Sequence, residues 1–156
     1  MPPLRDALTR LAGLQVPGVA NNFAIDRLPA VIERSQAPAL LVLLPGLHER
    51  ESSLFREQGE AFTSLTFSAG PRRATVLVTH LLLVAPRGSG SGLRGQLPAL
   101  VDGIDACLAA LAADVTLGDT LAEPTKMRVE PGVFRYGGVD WQGCAFRHRW
   151  LLELQP

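Results

Sequence analysis

Hydrophobic and polar positions alternate most regularly near the C-terminal end of the chain, between Val133 and Leu154. Two runs with the two-residue period of a strand flank Gly137-Gly138, and a glycine pair supplies the positive φ angles of a tight turn. The second run places on one face Cys144, Phe146, His148, Trp150, Leu152 and Leu154, and on the other Arg147, Arg149 and Glu153. The pattern predicts a hairpin whose last strand is apolar on one face and charged on the other.

Two other stretches follow the helical period. Leucines at steps of three and four residues, from Leu4 to Leu14, predict a short amphipathic helix that Gly13 ends. A longer helix is predicted over about residues 95–113, starting near Gln96 because Pro98 is tolerated only in a first turn. Its apolar side consists of Leu97, Leu100, Val101, Ile104, Leu108 and Leu111, with Cys107 beside them. A side this wide predicts that the helix covers the sheet.

The remaining strands are predicted from apolar runs bounded by turn residues. The run Pro38–Gly46 predicts a buried strand, and the runs over residues 61–68 and 74–85 predict an antiparallel pair. Both faces of the 74–85 run are apolar, which is typical of a central strand, and His80 within it is interpreted as an interior, hydrogen-bonded histidine. Residues 126–135 predict a penultimate strand with a bulge or bend at Pro131-Gly132.

These elements together predict the fold class. We expect an α+β fold: a mostly antiparallel sheet of four to five strands, with a long helix packed on one face and a short N-terminal helix. A chain of 156 residues, 47% hydrophobic and 19% charged, is expected to form a single domain over residues 1–156 with a substantial core.

Charge and composition exclude several classes of function. Fifteen basic and fifteen acidic residues leave no net field to attract nucleic acid or an anionic membrane. The N-terminal residues are not typical of a signal peptide and no run approaches the roughly 18 apolar residues of a membrane span, so we expect a soluble protein made in the cytoplasm. Cys107 and Cys144 are interpreted as buried, reduced thiols, and with three scattered histidines they do not form a zinc framework.

One motif points to an enzyme. Gly90-Ser-Gly92-Leu-Arg-Gly95 matches Gly-x-Gly-x-x-Gly, follows an apolar strand and opens a helix, as in dinucleotide-binding folds. Pro86-Arg87-Gly88 separates the strand from the motif, and no parallel strand with a ribose-binding acid is evident after the helix. We therefore interpret the segment as a flexible glycine-serine loop and expect no cofactor, no metal and no catalytic residue.

The predicted charged face of the last strand is the candidate binding surface. Arg147 and Arg149 suggest either a nucleic-acid strip or a subunit contact, and the neutral chain favours the contact. Acidic residues lie in a distant segment that is predicted to be exposed: Glu49, Glu51, Glu57 and Glu60. We predict a head-to-tail contact in which the arginines of one subunit meet the acidic segment of the next.

The order of elements resembles that of the tail terminator and related neck proteins of long-tailed bacteriophages. The resemblance is carried by Pro38–Gly46, Leu77–Pro86 and Tyr136–Glu153, and as a layout it extends over nearly the whole chain. It implies an antiparallel sheet packed on helices, without a cofactor or a catalytic residue.

The resemblance also implies how the protein acts in the virion neck. Subunits would assemble as a ring, commonly a hexamer, that caps the tail tube and docks to the head connector. The implied partners are other copies of the chain, the tail tube protein and a head-completion or connector protein. The alternatives are another head-to-tail joining component, a small nucleotide-binding enzyme that uses Gly90–Gly95, and a cellular protein-binding module.

Overall fold

A computed structural model of the chain describes residues 3–43, 62–65, 72–88 and 92–154. Its helices are α1 (Pro3–Ala12) and α2 (Gly92–Ala112). Its strands are β1 (Asn21–Phe23), β2 (Ala39–Leu43), β3 (Phe62–Leu65), β4 (Arg72–Pro86), β5 (Lys126–Tyr136) and β6 (Val139–Leu154). Five of them are ordered β1-β2-β4-β6-β5, and β3 pairs with β4 beyond the end of β2. Of these pairings only that of β1 with β2 is parallel, so the predicted α+β class with a mostly antiparallel sheet is confirmed.

The long C-terminal hairpin agrees with the prediction. Gly137 and Gly138 form its turn with φ angles of 58° and 79°, which a side chain would disfavour. Along β6 the side chains alternate as expected, with Phe146 and Trp150 buried on one face and Arg149 exposed on the other. The register of the two strands continues without a shift from Lys126 to Tyr136.

Strand β4 is the centre of the sheet. One edge pairs with β6 over nearly its whole length, and the other edge pairs first with β2 and then with β3. Its side chains are buried on both faces from Val78 to Val84, which confirms the predicted central strand. A register shift between Leu83 and Ala85 brings the backbone of Gly143 close to Leu82: an added Cβ would lie 2.1 Å from the Leu82 carbonyl oxygen.

The two faces of the sheet are covered differently. On one face, called here the helix face, α1 packs on a cluster that includes Val42, Val78 and Trp150, whereas α2 packs on Leu82 and Phe146. The opposite face is covered at one end by residues 24–37, whose Ile32 packs with the ring of Trp141. The other end of that face carries charged side chains.

The sequence misplaced the start of α2 and half of its buried stripe. The helix begins at Gly92, so Pro98 lies in its second turn. Proline has no N–H to donate to the carbonyl four residues before it, but Pro98 is on the exposed side of the helix, where that carbonyl can bond to water instead. Leu97, Val101 and Leu108 are 48%, 47% and 37% exposed. The face on the sheet is formed instead by Gln96, Leu100, Cys107 and Leu111. Leucine and valine define the wide apolar side, but only contact with the sheet selects the half that is buried.

Strand β5 also differs from expectation. No bulge or bend occurs at Pro131-Gly132, and both residues keep the register with β6. Proline is tolerated there because β5 is an edge strand of the described sheet, where one side of the backbone makes no ladder bonds. Strand β1 was not predicted from the sequence, since a three-residue strand of sequence Asn-Asn-Phe has no detectable period.

Helix α2 meets the length and composition of a membrane span, although the sequence analysis recognised no such run. Residues 94–112 have a mean hydropathy of 1.2. A core helix of a soluble protein meets the same criteria when it is mostly buried, whereas 22% of this stretch is buried, including Leu100, Cys107 and Leu111. The acidic residues Glu49, Glu51, Glu57 and Glu60, and Gly90 of the glycine motif, lie outside the described residues.

Candidate assembly surface

Four cations occupy adjoining positions on the charged face of the β5–β6 hairpin. In the ladder Lys126 lies opposite Arg149, and Arg128 lies opposite Arg147. These four residues are called the basic strip. Like charges directly opposite each other are unfavourable in a sheet, so the arrangement requires neutralisation from elsewhere.

Glu130 neutralises two members of the basic strip. Its Oε1 lies 2.6 Å from Nε of Arg128, and its Oε2 lies 2.6 Å from Nε of Arg147. Arg147 also donates to the Thr79 hydroxyl at 3.3 Å, and its side chain is only 10% exposed. Arg147, which the sequence analysis assigned to a subunit contact, is therefore engaged within its own subunit.

Arg149 differs from the exposed Arg128 in having no ion pair among the described residues. It is exposed, its ladder neighbours are Lys126 and Leu77, and no ion pair joins it to a residue in the described part of the chain. Lys126 pairs with Glu123 at 3.2 Å on the surface. Among the described residues, the carboxylates paired with these four cations are those of Glu123 and Glu130, which leaves an excess of two positive charges around an open cleft of about 430 Å³. The surface is suited to an acidic partner.

An acidic cleft lies elsewhere on the same chain. It has a volume of about 540 Å³ and is lined by carboxylates from three distant segments, Asp6, Asp119 and Glu153. The Asp119 carboxylate accepts a hydrogen bond from the Thr116 hydroxyl at 3.1 Å. No pattern in the sequence indicated this cleft, because only the fold brings its three segments together.

An apolar groove of about 590 Å³ borders the edge strand on the helix face. Leu97 and Leu100 of α2 form one wall, and Pro131 and Val133 of β5 form the other. Both Leu97 and Val133 are substantially exposed. Strand β5 therefore presents cations on one face and an apolar groove on the other.

The glycine motif gives a mixed result. Gly92 is the first residue of α2 and has a φ of 68°. Strands β4 and β5 both run antiparallel to β6 and hence in the same direction, but β6 lies between them and they do not pair with each other. Strand β5 ends in Arg135-Tyr136, which supplies no carboxylate for a ribose. Among the described residues no group of three His, Cys, Asp or Glu could hold a metal ion.

Comparison with known proteins assigns no family to the chain. No protein-family model matches it, and no curated protein matches it at a significant level. Its function must therefore follow from its own fold and surface.

Proposed function

We propose that this protein is a structural component of the neck of a long-tailed bacteriophage, and specifically a tail terminator. In this proposal a ring of subunits, taken to be a hexamer, caps the finished tail tube and docks to the head connector. The partners are further copies of the chain, the tail tube protein and a head-completion or connector protein. The protein acts by binding, in the virion, and not as an enzyme.

The basic strip is the observation that carries the proposal. Its member Arg149, unpaired among the described residues, is exposed on β6, beside Lys126 of the edge strand β5. The acidic cleft is lined by a different set of residues, Asp6, Asp119 and Glu153, and the candidate acidic segment with Glu49, Glu51, Glu57 and Glu60 is distant in the sequence. Contact between two different surfaces of identical subunits is heterologous and closes into a ring where the rotation permits. The α+β layout is also the one that the resemblance to neck proteins implies.

Solution mass against salt concentration tests the ring. Because exposed charge pairs are screened, assembly is expected to weaken between low and molar salt. Arg149→Glu is expected to give folded monomers, whereas the exposed Arg135, on the adjacent strand β5 of the same hairpin and paired with Asp140 at 3.7 Å, provides a matched control in Arg135→Glu. Arg147→Glu is avoided, since it would place a carboxylate against Glu130. Equal assembly of the Arg149→Glu protein and the wild type would contradict the contact.

Charge reversal identifies the acidic side of the contact. Mixed with Arg149→Glu subunits, one set of compensating variants carries lysine at Glu49, Glu51, Glu57 and Glu60, and the other at Asp6, Asp119 and Glu153. The set that restores assembly contains the partner surface.

Tail length tests the terminator role itself. A phage that lacks this protein is expected to make tails of abnormal length, because nothing caps the growing tube. Tails that stop at normal length but fail to join heads would assign the protein to another head-to-tail joining component. A protein that neither joins purified tails nor changes their length would exclude the neck proposal, and genomic neighbourhood would distinguish a neck protein from a cellular binding module.

Saturable binding of a nicotinamide or flavin nucleotide, lost on Gly90→Ala and Gly92→Ala, would favour the enzyme instead.

A further inference from the structure

A row of buried polar side chains crosses the helix face of the sheet between the two apolar clusters. His80 lies opposite Val42, which packs under α1, and opposite Phe146, which packs under α2. His148 lies on the neighbouring strand, with its ring centroid 6.4 Å from that of His80. Both histidines are buried at the junction between the two helices.

His80 is connected to α1 through a single amide. Nδ2 of Asn22 donates to the carbonyl oxygens of Leu11 and Leu14, at 3.2 and 3.3 Å, and so caps the C-terminal end of the helix. These two bonds orient the amide so that its Oδ1 accepts from Nε2 of His80 at 3.0 Å. The neutral imidazole therefore carries its proton on Nε2, and α1 is joined to the sheet by the series His80, Asn22 and the helix end.

His148 has a different partner and one unpaired nitrogen. The Thr125 hydroxyl accepts from Nε1 of Trp150 at 3.1 Å and lies 2.9 Å from Nδ1 of His148, to which it can donate its own proton. Nε2 of His148 is buried and has no hydrogen-bond partner within the described structure. Because Nδ1 accepts the Thr125 hydrogen bond, the neutral ring carries its proton on Nε2, and protonation would add a second N–H at Nδ1, where the Thr125 hydroxyl could no longer donate to it.

The groups around the two rings do not favour a charge. Burial lowers the pKa of His80 to about 3, assisted by the charge of His148, and burial lowers the pKa of His148 to about 4. Helix α2 contributes Cys107 and strand β6 contributes Cys144, and burial raises the pKa of each thiol to about 12, so both are neutral. Neither ring has a carboxylate at ion-pair distance among the residues described.

The other described elements that pack near the rings bury uncharged side chains there. Strand β5 places Met127 opposite His148. Helix α1 buries Ala7, Leu8 and Leu11, while its charged residues Arg5, Asp6 and Arg10 lie outside this buried set. Strand β1 contributes the Asn22 amide, and the segment before β5 contributes the Thr125 hydroxyl.

We propose that the buried polar side chains of His80, His148, Asn22 and Thr125 form an acid-sensitive latch. Protonation of His80 and His148 releases α1 from the helix face while the sheet remains folded. Helix α1 is the element expected to leave. It has ten residues, of which three are buried, and an isolated helix of that length is marginal in water. Its docking, and the Asn22 cap, are therefore what keep it helical.

The released state sets the pH at which the latch opens. In that state the histidines meet water and regain their ordinary pKa of 6.5, whereas in the docked state they stay neutral down to about pH 4 and pH 3. The released state thus takes up protons first, so docking is fully favourable above pH 6.5 and weakens as the pH falls below it. Each histidine exposed by release shifts the equilibrium about tenfold per pH unit.

Amide hydrogen exchange in the intact protein tests the latch, with rates corrected for the intrinsic effect of pH. Between pH 6.5 and pH 4.5 the opening equilibrium of the α1 amides should rise about tenfold to about 100-fold per pH unit, for one or two exposed histidines. The amides of the β4–β6 ladder should remain better protected than those of α1 at each pH. Helix amides whose protection does not change with pH, while that of the ladder falls, would overturn the proposal, because the histidines would then be exposed only by global unfolding.

Two variants and one spectroscopic measurement make the test specific. His80→Gln keeps an N–H donor for Asn22 but cannot titrate. The increase of the α1 opening equilibrium per pH unit should therefore be about tenfold smaller than in the wild type. His148→Gln is the matched variant for the second ring. Should either variant fail to fold, the imidazole NMR shifts of the wild type decide: rings that titrate near pH 6.5 with α1 still protected exclude the latch, and rings that stay neutral until α1 opens support it.

Discussion

Lys126 and Arg149 lie directly opposite each other in the β5–β6 ladder, so two exposed cations share one cross-strand position. Such a pair is destabilising within the subunit. Arg149→Gln is therefore expected to raise the free energy of unfolding of the monomer by about 0.2–0.5 kcal/mol, even as it weakens assembly. Urea denaturation at low protein concentration and low salt measures this change. Arg135→Gln, which removes a cation with its own surface carboxylate, should not stabilise, and a loss of stability in Arg149→Gln would indicate an intramolecular role for Arg149.

Glu130 should contribute more to stability than any other surface acid of the hairpin. Glu130→Gln leaves Arg147, whose side chain is 10% exposed, without its counterion and leaves Arg128 opposite it. We expect a loss of about 2 kcal/mol. The control Asp140→Asn breaks a surface pair of 3.7 Å and should change stability by less than about 0.5 kcal/mol. Equal effects of the two substitutions in thermal or urea denaturation would mean that the Glu130 bridge contributes no more than a surface pair.

Gly143 should not tolerate a side chain. A Cβ there would lie 2.1 Å from the Leu82 carbonyl oxygen, and backbone in the centre of a sheet cannot move away cheaply. Gly143→Ala is expected to cost more than about 3 kcal/mol or to prevent folding. Gly132 lies opposite it in the ladder, and an added Cβ there has its nearest neighbour at 3.9 Å, so Gly132→Ala should cost less than about 1 kcal/mol. A mild effect at Gly143 would show that the β4 bulge is absent or lies elsewhere.

Trp150 is buried at the centre of the α1 cluster, and its indole N–H donates to Thr125. Trp150→Ala should cost about 3–5 kcal/mol, because it leaves a large cavity and removes one of the two hydrogen bonds of the Thr125 hydroxyl. Val101→Ala, on the exposed side of α2, is the contrasting change and should stay within about 0.5 kcal/mol. Chemical denaturation measures both, and a loss below about 1 kcal/mol for Trp150→Ala would indicate a register in which the charged face is inside.

Both thiols should be unreactive in the folded protein. Cys107 and Cys144 are free and buried in one cluster, and their burial raises the pKa of each to about 12. Since the thiolate is the reactive form, an aromatic disulfide reagent at pH 8 should modify neither residue on the timescale on which it modifies unfolded chain. Two thiols per chain should react after addition of guanidinium. Rapid modification under native conditions would contradict the packing of α2 on β6.

Local sequence patterns predicted the elements whose hydrophobic period agrees with the turn residues that bound them. The alternation from Cys144 to Leu154, the glycine pair before it and the doubly apolar run through His80 each have one low-energy solution, a hairpin and a central strand, and the structure contains both. The burial of both cysteines also follows from their apolar neighbours in the sequence. Local patterns suffice here because a strand with one charged face can be buried in only one register.

Which side chains contact each other depends on long-range packing that no local pattern contains. Leu97 and Leu100 belong to the same apolar side of one helix, yet contact with the sheet buries Leu100 and leaves Leu97 exposed. Arg147 and Arg149 are equivalent by period, but Glu130 on the adjacent strand engages Arg147, and no described carboxylate engages Arg149. Cross-strand register and helix position bring together residues that are distant along the chain. The free energy of such a contact depends on both partners, so a short stretch of sequence does not predict it. The Asn22 link between His80 and α1 depends on the same long-range geometry.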